Sequence, residues 1–240
     1  MSGDPALELV RCAAAVGAAI DAVLDPLAAL GRTAARHLPA PGRRSSTADD
    51  LAFLRPSIHA LLREGPAGLH GAGVVAQPSH PADAAIHLEW WEREGGLLRP
   101  RPSNLDLHDE RFSDHPRSPW FTVPRDEGRG VIDGPYVDLH GDGLYVMTFV
   151  LPVDVDGAFA GVVAGDVAVN TFARPIVPVL RRLGGAAVVT AEGRVVVATT
   201  PEWAVGALVG DTPPPGSHME RIAVSTPVAQ WRVLRSVRDV

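Results

Sequence analysis

The N-terminal part of the chain has apolar residues at helical spacing. Between residues 5 and 37 they recur every three or four positions, which predicts one long helix. Asp21 interrupts the apolar stripe, and Asp25-Pro26 predicts a kink or a division of the helix. The stripe consists of Leu7, Val10, Ala14, Ala18, Leu24, Leu27, Leu30 and Ala34. It predicts packing against the rest of the domain, pairing with a second copy of the chain, or both.

A linker rich in proline, glycine and arginine follows at residues 39–46. A shorter helix is predicted after it, running through Leu62. Thr47 or Asp49 is suited to cap this helix, and Gly65-Pro66 ends it.

From Gly68 onward the apolar period changes towards two, which predicts antiparallel strands. Asp156-Gly157 marks a hairpin turn between two long apolar runs. Prolines around Trp120-Phe121 predict a stiff loop over residues 116–124, and residues 100–108 are predicted to be irregular. Helical spacing returns at residues 170–183. The predicted strands are 71–77, 85–94, one ending at 136–138, 144–153, and 158–169.

The C-terminal part is β-rich and smaller. Strands are predicted at 186–190 and 194–199 around Glu192-Gly193, and a final pair at 221–226 and 231–237. About 55 residues make a marginal independent fold. This part is therefore predicted to dock onto the larger one.

Composition indicates an ordinary globular chain. Of 240 residues 46% are hydrophobic and 21% are charged. The net charge of −6 argues against nucleic acid as a partner. All 22 basic residues are arginine, which excludes lysine chemistry, and the single Cys12 excludes an internal disulfide framework and a thiolate-only zinc site.

The apolar stretch at residues 6–30 also bears on membrane insertion. Glu8, Arg11, Asp21 and Asp25 interrupt it, whereas a spanning helix needs about 20 consecutive apolar residues. We therefore predict no transmembrane segment, no cleavable signal and no membrane partner, and we expect a cytoplasmic location.

The sequence favours a protein that is not an enzyme and has no cofactor. It contains no dinucleotide-binding, P-loop, zinc-protease or serine-hydrolase motif. His108, Asp109, Asp114 and His115 lie close together, but their spacing matches no recurrent metal site, and a solvated loop is the simpler interpretation. A small metal-dependent hydrolase that uses His108 or His115 with Asp114 is the less favoured alternative.

Asp166 interrupts an otherwise apolar predicted strand. We expect it on the face shared with Ala160, Val162 and Ala164. A carboxylate in that position must be paired, hydrogen-bonded or directed into a polar cavity. Two roles are open: a structural acceptor for loop amides, or recognition of a ligand's amine or amide.

Aromatic residues cluster in the same region and could wall a small-molecule cavity, although core packing explains at least half of them. Trp120 is the best pocket candidate because its segment is predicted to be a loop. The cluster comprises Trp90, Trp91, Trp120, Phe121, Tyr136, Tyr145 and Phe149.

The order of these elements and motifs resembles the Cache sensor domains in their double, tandem-PAS-like form. The resemblance spans roughly residues 5–240. The residues that carry it are Ser118-Pro119-Trp120-Phe121, Gly134-Pro135-Tyr136-Val137-Asp138, Val150-Leu151-Pro152-Val153, Gly161-Val162-Val163-Ala164-Gly165-Asp166, Glu192-Gly193-Arg194-Val195, Gly206-Ala207-Leu208-Val209-Gly210 and Gln230-Trp231.

The resemblance implies an α+β fold with a long N-terminal helix and two PAS-like antiparallel-sheet modules, the second smaller. The corresponding divisions are 1–46, 47–183 and 184–240. It also implies a ligand pocket in the first module. Trp120, Tyr136 and Asp166 match pocket positions of the family, and Asp114 and Phe121 match adjacent ones.

Two positions depart from the amino-acid-binding members of the family. Ser118 stands where those members have an arginine that binds the ligand carboxylate, and Ser113 stands where they have a tyrosine. The implied function is a sensor for an amine, an amino-acid-like molecule or a small carboxylate. The sensor would act in signal transduction or transcriptional control through a regulatory protein partner, as a homodimer formed by the N-terminal helix. The alternative is a protein-interaction module with a vestigial pocket.

Overall fold

The protein has an α+β fold with a long N-terminal helix and two antiparallel sheets, the second smaller. The computed structural model describes residues 4–41, 46–78, 85–101, 104–106, 117–138, 143–210 and 217–238. The helices are α1 (Pro5–Ala35), α2 (Ala48–Ala52), α3 (Arg55–Glu64), α4 (Pro119–Glu127), α5 (Val169–Ala173) and α6 (Val177–Leu180). The strands are β1 (Leu69–Ala76), β2 (Ala85–Glu94), β3 (Leu97–Pro100), β4 (Asn104–Asp106), β5 (Val131–Val137), β6 (Tyr145–Val155), β7 (Ala158–Ala168), β8 (Ala186–Val189), β9 (Val195–Ala198), β10 (Ser217–Ala223) and β11 (Arg232–Arg238).

The first sheet has the strand order β3-β2-β1-β7-β6-β5, and β4 pairs with β2. All of these pairings are antiparallel. One face of the sheet packs on α1, where Gly31 allows the helix to approach Val163 closely. The opposite face packs on α4 through Phe121.

The helix α1 continues through Pro26, so the helix is not divided there, which was one of the two predicted outcomes. Asp4 caps its start by accepting a hydrogen bond from the backbone N–H of Ala6 at 3.0 Å. Pro26 has no N–H to donate to the carbonyl of Ala22. Ala22 is exposed, so water can hydrate that carbonyl and the helix can continue.

The predicted apolar stripe of α1 packs on the rest of the chain in its second half but not in its first. Leu24, Leu27, Leu30 and Ala34 are buried as expected. The first four members of the stripe are exposed: Leu7, Val10, Ala14 and Ala18. The buried residues of this half are Leu9, Cys12, Ala13, Val16, Gly17 and Ile20. Apolar residues cover most of this half, so periodicity could not identify the buried side.

The segment after the linker forms two helices where one was predicted. Thr47 and Asp50 form a capping box at the start of α2, which confirms Thr47 as the cap. Pro56 cannot donate a hydrogen bond to the carbonyl of Ala52. The helix therefore breaks between them, and α3 continues to Gly65 as expected.

The predicted hairpin between β6 and β7 is confirmed. Asp156 and Gly157 both have positive φ, 53° and 78°, as a tight hairpin turn of this kind requires. Four residues after Gly157, Gly161 has φ of 150°, and the strand register shifts beside it. This irregularity places Ala160 in the core on the α1 side, whereas Val162 and Ala164 lie on the α4 side. The expectation that Ala160 shares their face is therefore wrong.

Two segments predicted to be irregular or looped are ordered elements. The residues around Trp120 form α4, with Pro119 in its first turn and Gly128 in the left-handed conformation at its end. Residues 100–108 were predicted to be irregular, yet β3 reaches Pro100 and β4 lies within that range. The β2–β3 turn uses Gly95-Gly96, both at positive φ.

The second sheet has the order β10-β11-β8-β9. It packs on the first module as predicted: the Phe172 ring lies 5.9 Å from Phe149 of β6 and 5.9 Å from Trp231 of the second module. The helix α1 spans both parts, and its Cys12 Sγ lies 3.5 Å from the carbonyl oxygen of Val179. Within the described ranges, no helix has the length and apolar content needed to cross a membrane.

Candidate functional site

A polar row crosses the first sheet on the face opposite α1. Glu92, Gly71, Asp166 and Thr148 are successive cross-strand partners on β2, β1, β7 and β6. Side chains of direct cross-strand partners lie on the same face of a sheet. The register therefore places two carboxylates, one hydroxyl and one position without a side chain side by side.

Asp166 is the buried centre of this row, with 6% of its surface exposed. Its Oδ1 accepts a hydrogen bond from Thr148 Oγ1 at 2.6 Å. Thr148 Oγ1 is also hydrogen-bonded to the hydroxyl of Tyr136. Because the threonine proton goes to Asp166, the threonine oxygen accepts from Tyr136, and the three side chains form one directed chain.

Burial raises the pKa of the Asp166 carboxyl to about 7. The negative charges of Asp138 and Glu92 contribute in the same direction, while the hydrogen bond from Thr148 and the charge of Arg101 oppose the rise. Burial also raises the pKa of Tyr136 above its ordinary value. At neutral pH Asp166 is therefore poised between its neutral and charged forms.

Arg101 holds the two other carboxylates of this region. Its guanidinium forms an ion pair with Glu92 and lies 3.4 Å from Asp138 Oδ2. Its backbone N–H donates to the carbonyl of Trp90 at 2.9 Å, which fixes it beside β2. Among the described residues of this site, the carboxylates of Asp166, Glu92 and Asp138 thus surround the single cation Arg101. The site therefore favours a further positive charge.

Gly71 allows the Trp90 indole to lie against the centre of the row. A Cβ at this position would lie 3.1 Å from Trp90 Nε1 and 3.4 Å from Asp166 Oδ2. The Trp90 indole N–H is buried and has no hydrogen-bond partner among the residues that the structure describes. A carboxylate and an unused donor therefore border the same glycine.

An apolar cluster adjoins the polar row on the same face. Phe121 of α4 is 1% exposed, and its ring makes edge contacts with Trp120 at 5.5 Å and Phe159 at 5.6 Å. Trp120 is only half-buried. The buried members of the cluster are Val75, Leu88, Trp90, Phe121, Val150, Val162 and Ala164.

The structure brings four of the five predicted site residues to this face. Asp166 and Tyr136 are joined through Thr148. Trp120 and Phe121 belong to the adjoining apolar cluster, although on a helix and not on the predicted loop. Asp114 lies outside the described residues, as do the other three members of the proposed metal group, His108, Asp109 and His115.

Four residues of this site were not predicted from the sequence, namely Glu92, Arg101, Thr148 and Gly71, and Trp90 was predicted only as a member of the aromatic cluster. One signal was available: in the strand AIHLEWWERE, Trp90 and Glu92 share a face by alternation. Within the described ranges, no three His, Cys, Asp or Glu side chains are grouped as metal ligands.

Another buried carboxylate, Glu89, lies on β2 beside α3. Arg55 contacts it at 2.8 and 3.3 Å, and Trp91 Nε1 donates to it at 2.5 Å. The guanidinium also lies over the Trp91 ring, 5.4 Å from the centroid. This acid is fully paired, so its contacts attach α3 to the sheet.

The sequence matches no family model, and a search of curated proteins gives no match. Solved structures do match it. The ligand-binding domain of the Pseudomonas aeruginosa PAO1 amino acid chemoreceptor PctC, solved in complex with GABA, has a TM-score of 0.62 at 16% identity and covers 96% of each chain. The corresponding domain of PctB from the same organism, in complex with L-Arg, has a TM-score of 0.62 at 16% identity, over 97% of this chain and 92% of that one.

The periplasmic sensory domain of the Campylobacter jejuni chemoreceptor Tlp1 also matches, with a TM-score of 0.62 at 11% identity, over 92% of this chain and 89% of that one. The chain has a PAS/Cache-like fold. At these identities the likeness concerns the Cache fold alone. The ligand must therefore be inferred from the side chains of this chain.

Proposed function

We propose that this chain is a sensor module that binds a small molecule with a protonated amine and signals through a regulatory protein partner. The observation that carries the proposal is Asp166, a buried carboxylate at the centre of the polar row, close to the unused indole N–H of Trp90. Burying a carboxylate without a charged partner is costly. A ligand ammonium group would supply that partner and would keep Asp166 ionised.

The surrounding charges favour an amine over a carboxylate ligand. Arg101 is engaged by Glu92 and Asp138, and Ser118 stands where amino-acid-binding Cache members have an arginine. GABA and L-arginine, the molecules in two of the matching structures, both carry a primary amine. Half-exposed Trp120 and Tyr136 would supply aromatic walls for a cation.

Three four-carbon compounds test this proposal: butylamine, 4-aminobutanoate and butanoate. We expect butylamine to raise the melting temperature most, 4-aminobutanoate less, and butanoate not at all. The carboxylates of the last two compounds would meet the excess negative charge of the site, and butanoate has no amine to offset this repulsion. Ligand at 100 times its Kd adds about 2.7 kcal/mol of stability. For a chain of this size that corresponds to a shift of about 5–10 °C.

The alternatives predict different results. If no amine produces a saturable shift while a regulator co-purifies with the chain, the interaction module with a vestigial pocket is the better interpretation. Stabilisation by butanoate alone would contradict the charge argument. The hydrolase alternative depends on residues outside the described part of the chain and has no support from the described ones.

We also propose that the chain pairs with a second copy through α1. Leu7 and Val10 are 48% and 50% exposed, and they lie with Ala14 and Ala18 on one side of the helix. A two-fold pairing would remove this apolar stripe from water.

Replacing Leu7 with glutamate should weaken dimerisation at least tenfold, because a charge would enter the apolar contact. Sedimentation velocity over a concentration series measures the change. Leu97→Glu is the matched control, since Leu97 is 63% exposed on β3 and away from α1. A monomer at all concentrations before any substitution, or an equal effect of both variants, would contradict the pairing.

The cytoplasmic location stays a prediction. It rests on the charged residues that interrupt the apolar N-terminal stretch, among them Glu8, Arg11 and Asp21. Fractionation of cells that express the chain tests it.

A further inference from the structure

A cavity of about 260 Å³ lies where the two modules meet. Tyr145 at the start of β6, Val169 and Ala173 of α5, and Val197 of β9 form its walls, and Val205 stands at its rim. None of the side chains of the Asp166 site lines it. It is therefore a separate space that both modules border.

The lining of this cavity is apolar and uncharged. Valine, alanine and leucine make up most of it, and the polar side chains among its lining residues are Tyr145 and Asn170. Val169 and Val197 are buried, whereas Val205 is 48% exposed, so the cavity has an apolar floor and a wide opening to solvent. A charged molecule would lose its hydration here without gaining a counter-charge.

We propose that this junction cavity binds a small uncharged molecule built on one aromatic ring, with at most one hydroxyl or carbonyl group directed to Asn170. Size and polarity carry the proposal. A dry apolar cavity of about 150 Å³ is large enough for benzene. The present cavity has room for such a ring with a short substituent.

Benzyl alcohol is the probe for this site. We expect it to raise the melting temperature in a saturable way, with a Kd of the order of 1 mM for so small a ligand. Benzoate has the same ring with a negative charge and should have no effect. Heteronuclear NMR titration with the same compounds should shift signals of α5 and β9.

Two variants locate the binding, and two others serve as controls. Ala173→Leu fills the cavity and should weaken benzyl alcohol binding at least tenfold, and Val205→Leu at the rim serves if Ala173→Leu does not fold. Ala60→Leu is the matched control, because Ala60 is an exposed alanine of α3. Asp166→Asn should leave the affinity unchanged. A non-saturable response, an equal response in Ala60→Leu and Ala173→Leu, or loss of binding in Asp166→Asn would overturn the proposal.

Discussion

Replacing Asp166 with asparagine is expected to weaken the binding of butylamine at least 100-fold. Asparagine keeps the size of the side chain and can still accept the hydrogen bond from Thr148, but it removes the negative charge. The ligand ammonium would then be buried beside a neutral group, which costs about 3 kcal/mol or more. Isothermal titration calorimetry at pH 8 measures the difference.

Asp154→Asn is the matched control, since Asp154 is exposed near the β6–β7 hairpin and should not affect binding. The pH dependence gives a second readout. Because the pKa of Asp166 is about 7 in the free protein, butylamine affinity should rise from pH 6 to pH 8 and then level off. Unchanged affinity in Asp166→Asn, or an affinity that falls over this interval, would refute the role of Asp166.

The unligated protein should lose stability as the pH rises from about 4 to about 7, and Asp166 should account for a large part of this loss. The fold raises the pKa of this carboxyl from 3.8 to about 7. Folding therefore favours the protonated carboxyl. Its contribution to the free energy of unfolding is complete below pH 4 and is lost as the pH rises through 7. This rise in pKa corresponds to a loss of at most about 4 kcal/mol in the free energy of unfolding.

Urea unfolding at pH 5 and pH 8 tests this expectation. Above pH 7 the Asp166→Asn variant should be more stable than the unmodified protein by about 1–4 kcal/mol, because it no longer buries a charge. Burial also raises the pKa of Asp133, so the difference between the two proteins isolates Asp166. The expectation is contradicted if Asp166→Asn is less stable than the unmodified protein at pH 8, or if the difference in stability between the two proteins is the same at pH 5 as at pH 8.

The sequence was sufficient for features that depend on local chemistry. The Asp156-Gly157 turn follows from the ease with which these residues adopt positive φ, and the Thr47 cap follows from a hydroxyl ahead of an apolar run. Asp166 stood out because one carboxylate in a long apolar strand requires an explanation.

Features that depend on tertiary contacts were less accessible. Prolines at 116, 119 and 124 indicated a loop, yet Pro119 opens α4, because a proline in the first turn loses no helical hydrogen bond. The register shift near Gly161 moved Ala160 to the other face, and a strict alternation cannot foresee such an irregularity.

The charged surroundings of Asp166 were missed for a similar reason. Glu92 and Arg101 belong to β2 and to the segment after β3, and Asp138 follows β5. Asp138 is far from Glu92 and Arg101 in sequence, and β3 and β5 are opposite edges of the sheet, so no sequence pattern indicates the contact between Arg101 and Asp138. The three-dimensional pairing of strands, more than any motif, determines the charge of this site.

The unbroken helix α1 has a mechanical consequence. Its Gly31 end contacts Val163 of the first sheet, while Gly17 lies against Val224 and Ser225 of the second module. At 1.5 Å per residue, its 31 residues make a rod about 46 Å long. A tilt of about 5° at one end would displace the other by about 4 Å, so α1 could act as a lever arm.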